Sequence, residues 1–173
     1  MPYKIKGIRG FIPQAFTLTE LVLAVAILGI LSSIAVPSFF SQLLITRQRG
    51  CSAQLAMVQT STMLFNDENA IPPASWSDLN EMSAILIDSG TAGSIKRFGT
   101  IKLRNDNYSM TITNPYDGSS SIYGYECTSD DANASGYNVL GCVNIDNGAT
   151  EIKLGKKDNP VTSVNCKEVK EDD

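Results

Sequence analysis

The chain has 173 residues, is 43% hydrophobic and 18% charged, and carries a net charge of -4. That balance excludes a disordered or low-complexity chain and fits one folded domain with an appendage. Removing the three cations Lys4, Lys6 and Arg9 leaves the remainder near -7. Such an acidic surface is a poor general binder of nucleic acid or anionic lipid. There is no histidine. Ser/His and Cys/His nucleophile systems and histidine metal centres are therefore excluded.

The first fifteen residues are basic and free of acids, and a long apolar run follows. Between Glu20 and Arg47 no residue is charged. As a helix, the 26 positions from 21 to 46 span roughly 39 Å, more than the hydrocarbon core of about 30 Å. The basic start predicts a cytoplasmic N-terminus and a C-terminal module on the far side of a membrane. A cleaved secretory signal would have a shorter apolar core and a small-x-small site. Glu20 is the anomaly, because a carboxylate at the edge of an apolar helix costs several kcal/mol unless interfacial or paired.

The run AFTLTELVLAVAILGILSSIAVPSF resembles the N-terminal signature of type IV pilins and of the related type II secretion pseudopilins. In that family a dedicated peptidase cuts a basic leader just before a phenylalanine, and the new amine is methylated. The resemblance implies a cut between Ala15 and Phe16, with Glu20 as the fifth residue of the processed chain. Gly29 and Pro37 also match the family pattern. Two departures stand beside the match. Ala15 replaces the usual glycine before the cut, and Gly10-Phe11 offers a competing cut that would put Ala15 in the fifth place. The resemblance implies that Glu20 pairs with the Phe16 amine of a neighbouring subunit, acting as a register device in an apolar filament core. The alternative is an interfacial carboxylate favoured by the helix dipole.

Pro37 and Gly29 are expected weak points of the helix. Beyond Phe40 the pattern turns amphipathic. Cys51, Leu55, Val58, Thr62 and Phe65 share one face, which predicts a helix to about Asn66 that packs on the soluble module. Ile71-Pro72-Pro73 stops it. Ser75 or Ser77 is expected to cap a short helix from Asp78 to Ile87, ended by Ser89-Gly90. Trp76 reads as packing.

From Ser94 the period changes to two. Ile101 and Leu103, then Tyr108, Met110 and Ile112, alternate with polar residues as half-buried antiparallel strands. Asn105-Asp106-Asn107 is the expected turn between them. Further strands are expected at Ile122 to Cys127, Tyr137 to Ile145 and Glu151 to Leu154, with turns at 114–118 and 146–148. The predicted architecture is α+β, a long N-terminal helix packed on an antiparallel sheet. The expected organisation is a leader at 1–15, an apolar membrane and assembly helix at 16–46, and a globular head at 47–173.

Cys51, Cys127, Cys142 and Cys166 read as two disulfides with three possible pairings. The first expectation is Cys127 with Cys142 and Cys51 with Cys166, the latter tying helix to sheet. No catalytic or nucleotide motif is present, so no enzyme and no cofactor are expected. Asp130-Asp131 and Glu171-Asp172-Asp173 read as solvated charge. No EF-hand spacing accompanies them. Lys96, Arg97, Lys102 and Arg104 form a possible basic stripe, against the plainer reading of a solvated strand face. The resemblance implies as partners further copies of the chain, other pilins, the prepilin peptidase, the pilus assembly machinery and the inner membrane. Nucleic acid enters only through an assembled fibre. The implied route is an inner-membrane precursor that becomes part of a cell-surface filament. A pseudopilin and a non-polymerising anchored binding domain are the competing readings.

Overall fold

The computed structural model describes residues 16–83, 85–104 and 107–169. The chain divides into two compact units, Met1–Phe40 and Ser41–Asp173. Helix α1 (Leu18–Asn69) contributes residues to both. The leader, two residues of the expected 105–107 turn and the terminal acids lie outside the described residues.

In the second unit α1 is followed by α2 (Trp76–Met82), a small hairpin of β1 (Leu86–Ile87) and β2 (Gly90–Thr91), and a five-stranded sheet. The sheet strands are β3 (Ile101–Lys102), β4 (Tyr108–Thr113), β5 (Ile122–Ser129), β6 (Val139–Asn144) and β7 (Thr150–Leu154). They form an antiparallel meander in chain order. The α+β class and the five strands match the two-residue alternation in the sequence. Helix α1 ends three residues beyond the expected Asn66. It closes on Ala70 in the left-handed region (φ 54°), whose N–H donates to the Asn66 carbonyl at 2.9 Å. This is a left-handed helix cap made without glycine.

The short helix needs a correction. It starts at Trp76, and Ser75 caps it reciprocally. The Asp78 N–H donates to Ser75 Oγ at 3.3 Å, and the Ser75 N–H donates to Asp78 Oδ2 at 2.9 Å. The helix stops at Met82 instead of running on to Ile87. Leu86 is exposed between buried Ile85 and Ile87, a period of two that pairs Leu86–Ile87 with Gly90–Thr91. Gly90 serves this hairpin at φ 132° rather than ending a helix.

Side-chain parity sorts the sheet into two faces. Met110, Tyr125, Cys127, Val139 and Val143 join Cys51, Leu55 and Val58 of α1 in the main core. Ile122, Cys142, Ala149, Val164 and Cys166 form a second cluster. Gly141 faces the helix, where a Cβ would overlap the Leu55 side chain. Polar anchors accompany the apolar contact. Gln59 Nε2 donates to the Cys142 carbonyl at 2.7 Å and the Glu151 carbonyl at 3.2 Å. Thr62 Oγ1 lies 2.6 Å from the Tyr125 hydroxyl and donates to the Val58 carbonyl at 2.9 Å. Trp76 is fully buried, its indole N–H donating to the Gly99 carbonyl at 3.0 Å.

The disulfides are Cys51–Cys127 and Cys142–Cys166. The expected Cys127–Cys142 and Cys51–Cys166 pairing is therefore corrected. Cys127 lies opposite Val139, and Cys142 lies opposite Gly124. An odd offset along β5 separates Gly124 from Cys127, so the two sulfurs point to opposite faces of the sheet. Only Cys127 reaches the helix face. Only Cys142 reaches the segment that carries Cys166.

Candidate assembly site

The described part of the first unit is helical from Leu18 onward, with no shelter from other described residues. Every described residue from Phe16 to Gln42 is exposed, including Phe16 at 84% and Ile34 at 73%. By length and composition α1 is long and apolar enough to cross a membrane. An apolar face this large on a water-soluble surface carries a heavy hydrophobic cost, so it calls for lipid or other helices around it. Gly29 has open space where a Cβ would stand. The helix remains continuous through Pro37.

Glu20 belongs to a capping box. Its N–H donates to Thr17 Oγ1 at 3.3 Å, and its Oε2 accepts from the Thr17 N–H at 2.9 Å. The Thr17 hydroxyl also donates to Oε2, at 2.8 Å. The first helical bond follows, from the Leu21 N–H to the Thr17 carbonyl at 3.2 Å. The carboxylate thus satisfies orphan donors at the helix start, where the dipole favours negative charge. Thr17 is the residue that the sequence reading passed over. Its signal was present as the Thr-x-x-Glu spacing of a capping box. Phe16 precedes this cap. Ala15 lies outside the described residues.

The possible basic stripe is broken up. Lys102 Nζ is 3.3 Å from Asp130 Oδ2, and Lys96 Nζ donates to Ser77 Oγ at 3.1 Å. Asp130 is more than solvated charge, since Ser109 Oγ donates to it at 2.7 Å. Asp131 accepts from the Asn133 N–H at 2.9 Å, capping a single 3-10 turn. No group of three or more metal-ligating side chains occurs among the described residues.

The prokaryotic N-terminal methylation motif matches residues 13–36. This is the prepilin-type signature of type IV pilins and pseudopilins. It spans the cap, the carboxylate and most of the exposed apolar helix, and it points to a structural protein of prepilin type. Such a signature implies processing by a prepilin peptidase and assembly into pilin-type polymers. Together with the long apolar helix it fits membrane anchoring before assembly. No curated protein and no solved structure matches the chain.

Proposed function

We propose that the chain is a structural subunit of a type IV pilus. It is made as a precursor with a leader at 1–15 and cut between Ala15 and Phe16. After methylation of the Phe16 amine it waits in the inner membrane, then polymerises through its apolar helix into a surface filament. The carrying observation is the pairing of the methylation motif with a stretch of helix, up to Phe40, whose apolar residues are all exposed and which holds one carboxylate. In a filament, helices of neighbouring copies would replace lipid as the apolar surroundings. Glu20 would exchange its Thr17 contacts for the methylated amine of a neighbouring Phe16, a pair that is strong in low dielectric when made. Gly29 offers room for close helix approach. Attachment, motility or DNA uptake would be properties of the fibre.

The test is the mass and N-terminal sequence of the mature chain, taken from membranes and from sheared surface material. A methylated Phe16 terminus in the sheared material is the expected result. Processed chain confined to the membrane would instead indicate a secretion pseudopilin. An uncut terminus would leave a non-polymerising anchored domain.

A further inference from the structure

Arg47 and Arg49 are the first charges after a stretch of chain, positions 21–46, that has none. Arg49 lines a cleft of about 590 Å³ together with Ile45, Tyr137, Leu154, Lys156 and Lys157. Arg49, Lys156 and Lys157 are exposed and make no ion pair with another described residue. By contrast Lys102, Lys153 and Lys167 are each paired with an acid. Among the described residues Asp158 is the one acid lining the cleft. Arg47 is close enough to act on the Tyr108 hydroxyl, which donates at 2.7 Å to the carbonyl of Tyr137, a residue of the cleft lining.

The lysine turn is fixed from several sides. The backbones of Lys156 and Asn159 exchange two hydrogen bonds of 2.9 Å. Gln48, one residue before Arg49, is buried, and its Nε2 donates to the Asn138 and Gly155 carbonyls at 3.0 and 2.8 Å. Asn138 in turn bonds both backbone groups of Val161. Gly136 lies so close to the Lys157 carbonyl that a Cβ could not fit. A chain with a net charge near -7 after the leader thus gathers around one cleft three cations that have no ion pair among the described residues. The helical side of that cleft, Ile45 to Arg49, follows the exposed apolar stretch directly in sequence.

We propose that this cleft docks on the headgroup phosphates of anionic phospholipids, on the outer leaflet of the membrane that holds the apolar segment. The inference rests on the membrane-anchored stage of the function proposed above. Arginine and lysine donate charge-assisted hydrogen bonds to phosphate. Tyr137, Ile45 and Leu154 supply the amphipathic lining suited to the interfacial zone. Only six residues separate Phe40 from Arg47, so the two arginines follow the apolar stretch directly in sequence. The docking holds the cleft against the membrane until the subunit is withdrawn into a filament.

The test uses the full-length chain in phosphatidylcholine vesicles, with and without phosphatidylglycerol, each doped with a photoactivatable lipid of the same headgroup. The expected crosslinks fall on residues 45–49 and 154–159 in the anionic vesicles. They weaken roughly fivefold for each cation neutralised in Lys156→Gln and Lys156→Gln/Lys157→Gln, and they weaken with added salt. These surface variants keep the wild-type unfolding temperature. Equal labelling by both lipids, or labelling unchanged in the double variant, overturns the proposal. So does labelling unaffected by salt together with a loss of copy-to-copy crosslinks in the variant, which would make the cleft a subunit interface. Carbonate extraction of the same vesicles separates the two readings. A chain that resists extraction yet shows no headgroup labelling refutes the docking alone, whereas an extracted chain refutes the anchor on which it rests.

Discussion

Cys51 of α1 is bonded to Cys127 of β5 across 76 residues of sequence, and this bridge ties the long helix to the middle strand of the sheet. Loop-closure entropy gives it a stabilisation of about 4 kcal/mol, against about 3 kcal/mol for Cys142–Cys166, which closes a loop of 24 residues. The Cys51→Ser/Cys127→Ser variant is expected to lose more thermal stability than Cys142→Ser/Cys166→Ser. Calorimetry of the two variants checks the order. Equal losses would show that strain or residual unfolded structure, not loop length, sets the effect.

The Thr62–Tyr125 contact is a buried side-chain hydrogen bond between helix and sheet. Because Thr62 donates to the Val58 carbonyl, Tyr125 donates to Thr62. Thr62→Val strands a buried phenol and should cost about 1–3 kcal/mol. The double variant Thr62→Val/Tyr125→Phe should recover most of that loss. Urea unfolding of both variants measures the difference, and an absence of recovery would contradict this assignment of donors.

Burial pushes the phenols of Tyr108 and Tyr123 up to about 12, and it raises Tyr125 further. A free tyrosine ionises near 10. Below that pH both folded and unfolded chains keep these protons, so stability is unaffected. From about 10 to about 12 the unfolded chain loses them first, and stability falls with rising pH. Urea midpoints measured across this range should be flat and then decline. Phenolate absorbance should show these three phenols still protonated near pH 10 while the head stays folded.

Glu20 and Thr17 share one cap but should differ in assembly. Thr17→Val and Glu20→Ala each remove a capping interaction worth about 1 kcal/mol. If capping were the whole role of Glu20, both variants would assemble alike. The proposed pairing with a neighbouring amine instead predicts that Glu20→Ala inserts and folds normally yet yields far fewer filaments than Thr17→Val. Filament yield from sheared material, with head unfolding temperature as the control, decides between them.

Much of the fold was legible in the sequence. The alternation of Tyr108, Met110 and Ile112 marked a strand with one buried face, and the 4-3-4-3 spacing from Cys51 to Phe65 marked the helix face that meets it. Each pattern depends only on the period of its own element. The strand at Leu86–Ile87 was missed because two residues are too few to establish a period. Its pairing with Gly90–Thr91 and the bridge from Ile87 to Leu103 supply what local propensity lacked. At the helix start, the motif and Glu20 stood out, whereas Thr17 did not, although its Thr-x-x-Glu spacing already carried the signal that the reciprocal hydrogen bonds bear out.

The sequence by itself determined the apolar helix with its single carboxylate, the α+β class and the prepilin signature. These are local properties of composition and spacing. Tertiary structure alone decided the disulfide pairing, because sheet register sets which face each cysteine occupies, and register is a relation between strands. It also brought Lys156 and Lys157 beside Arg49, more than a hundred residues away in sequence. That meeting depends on Gln48 and Asn138 holding the turn against the helix, contacts that no local pattern encodes.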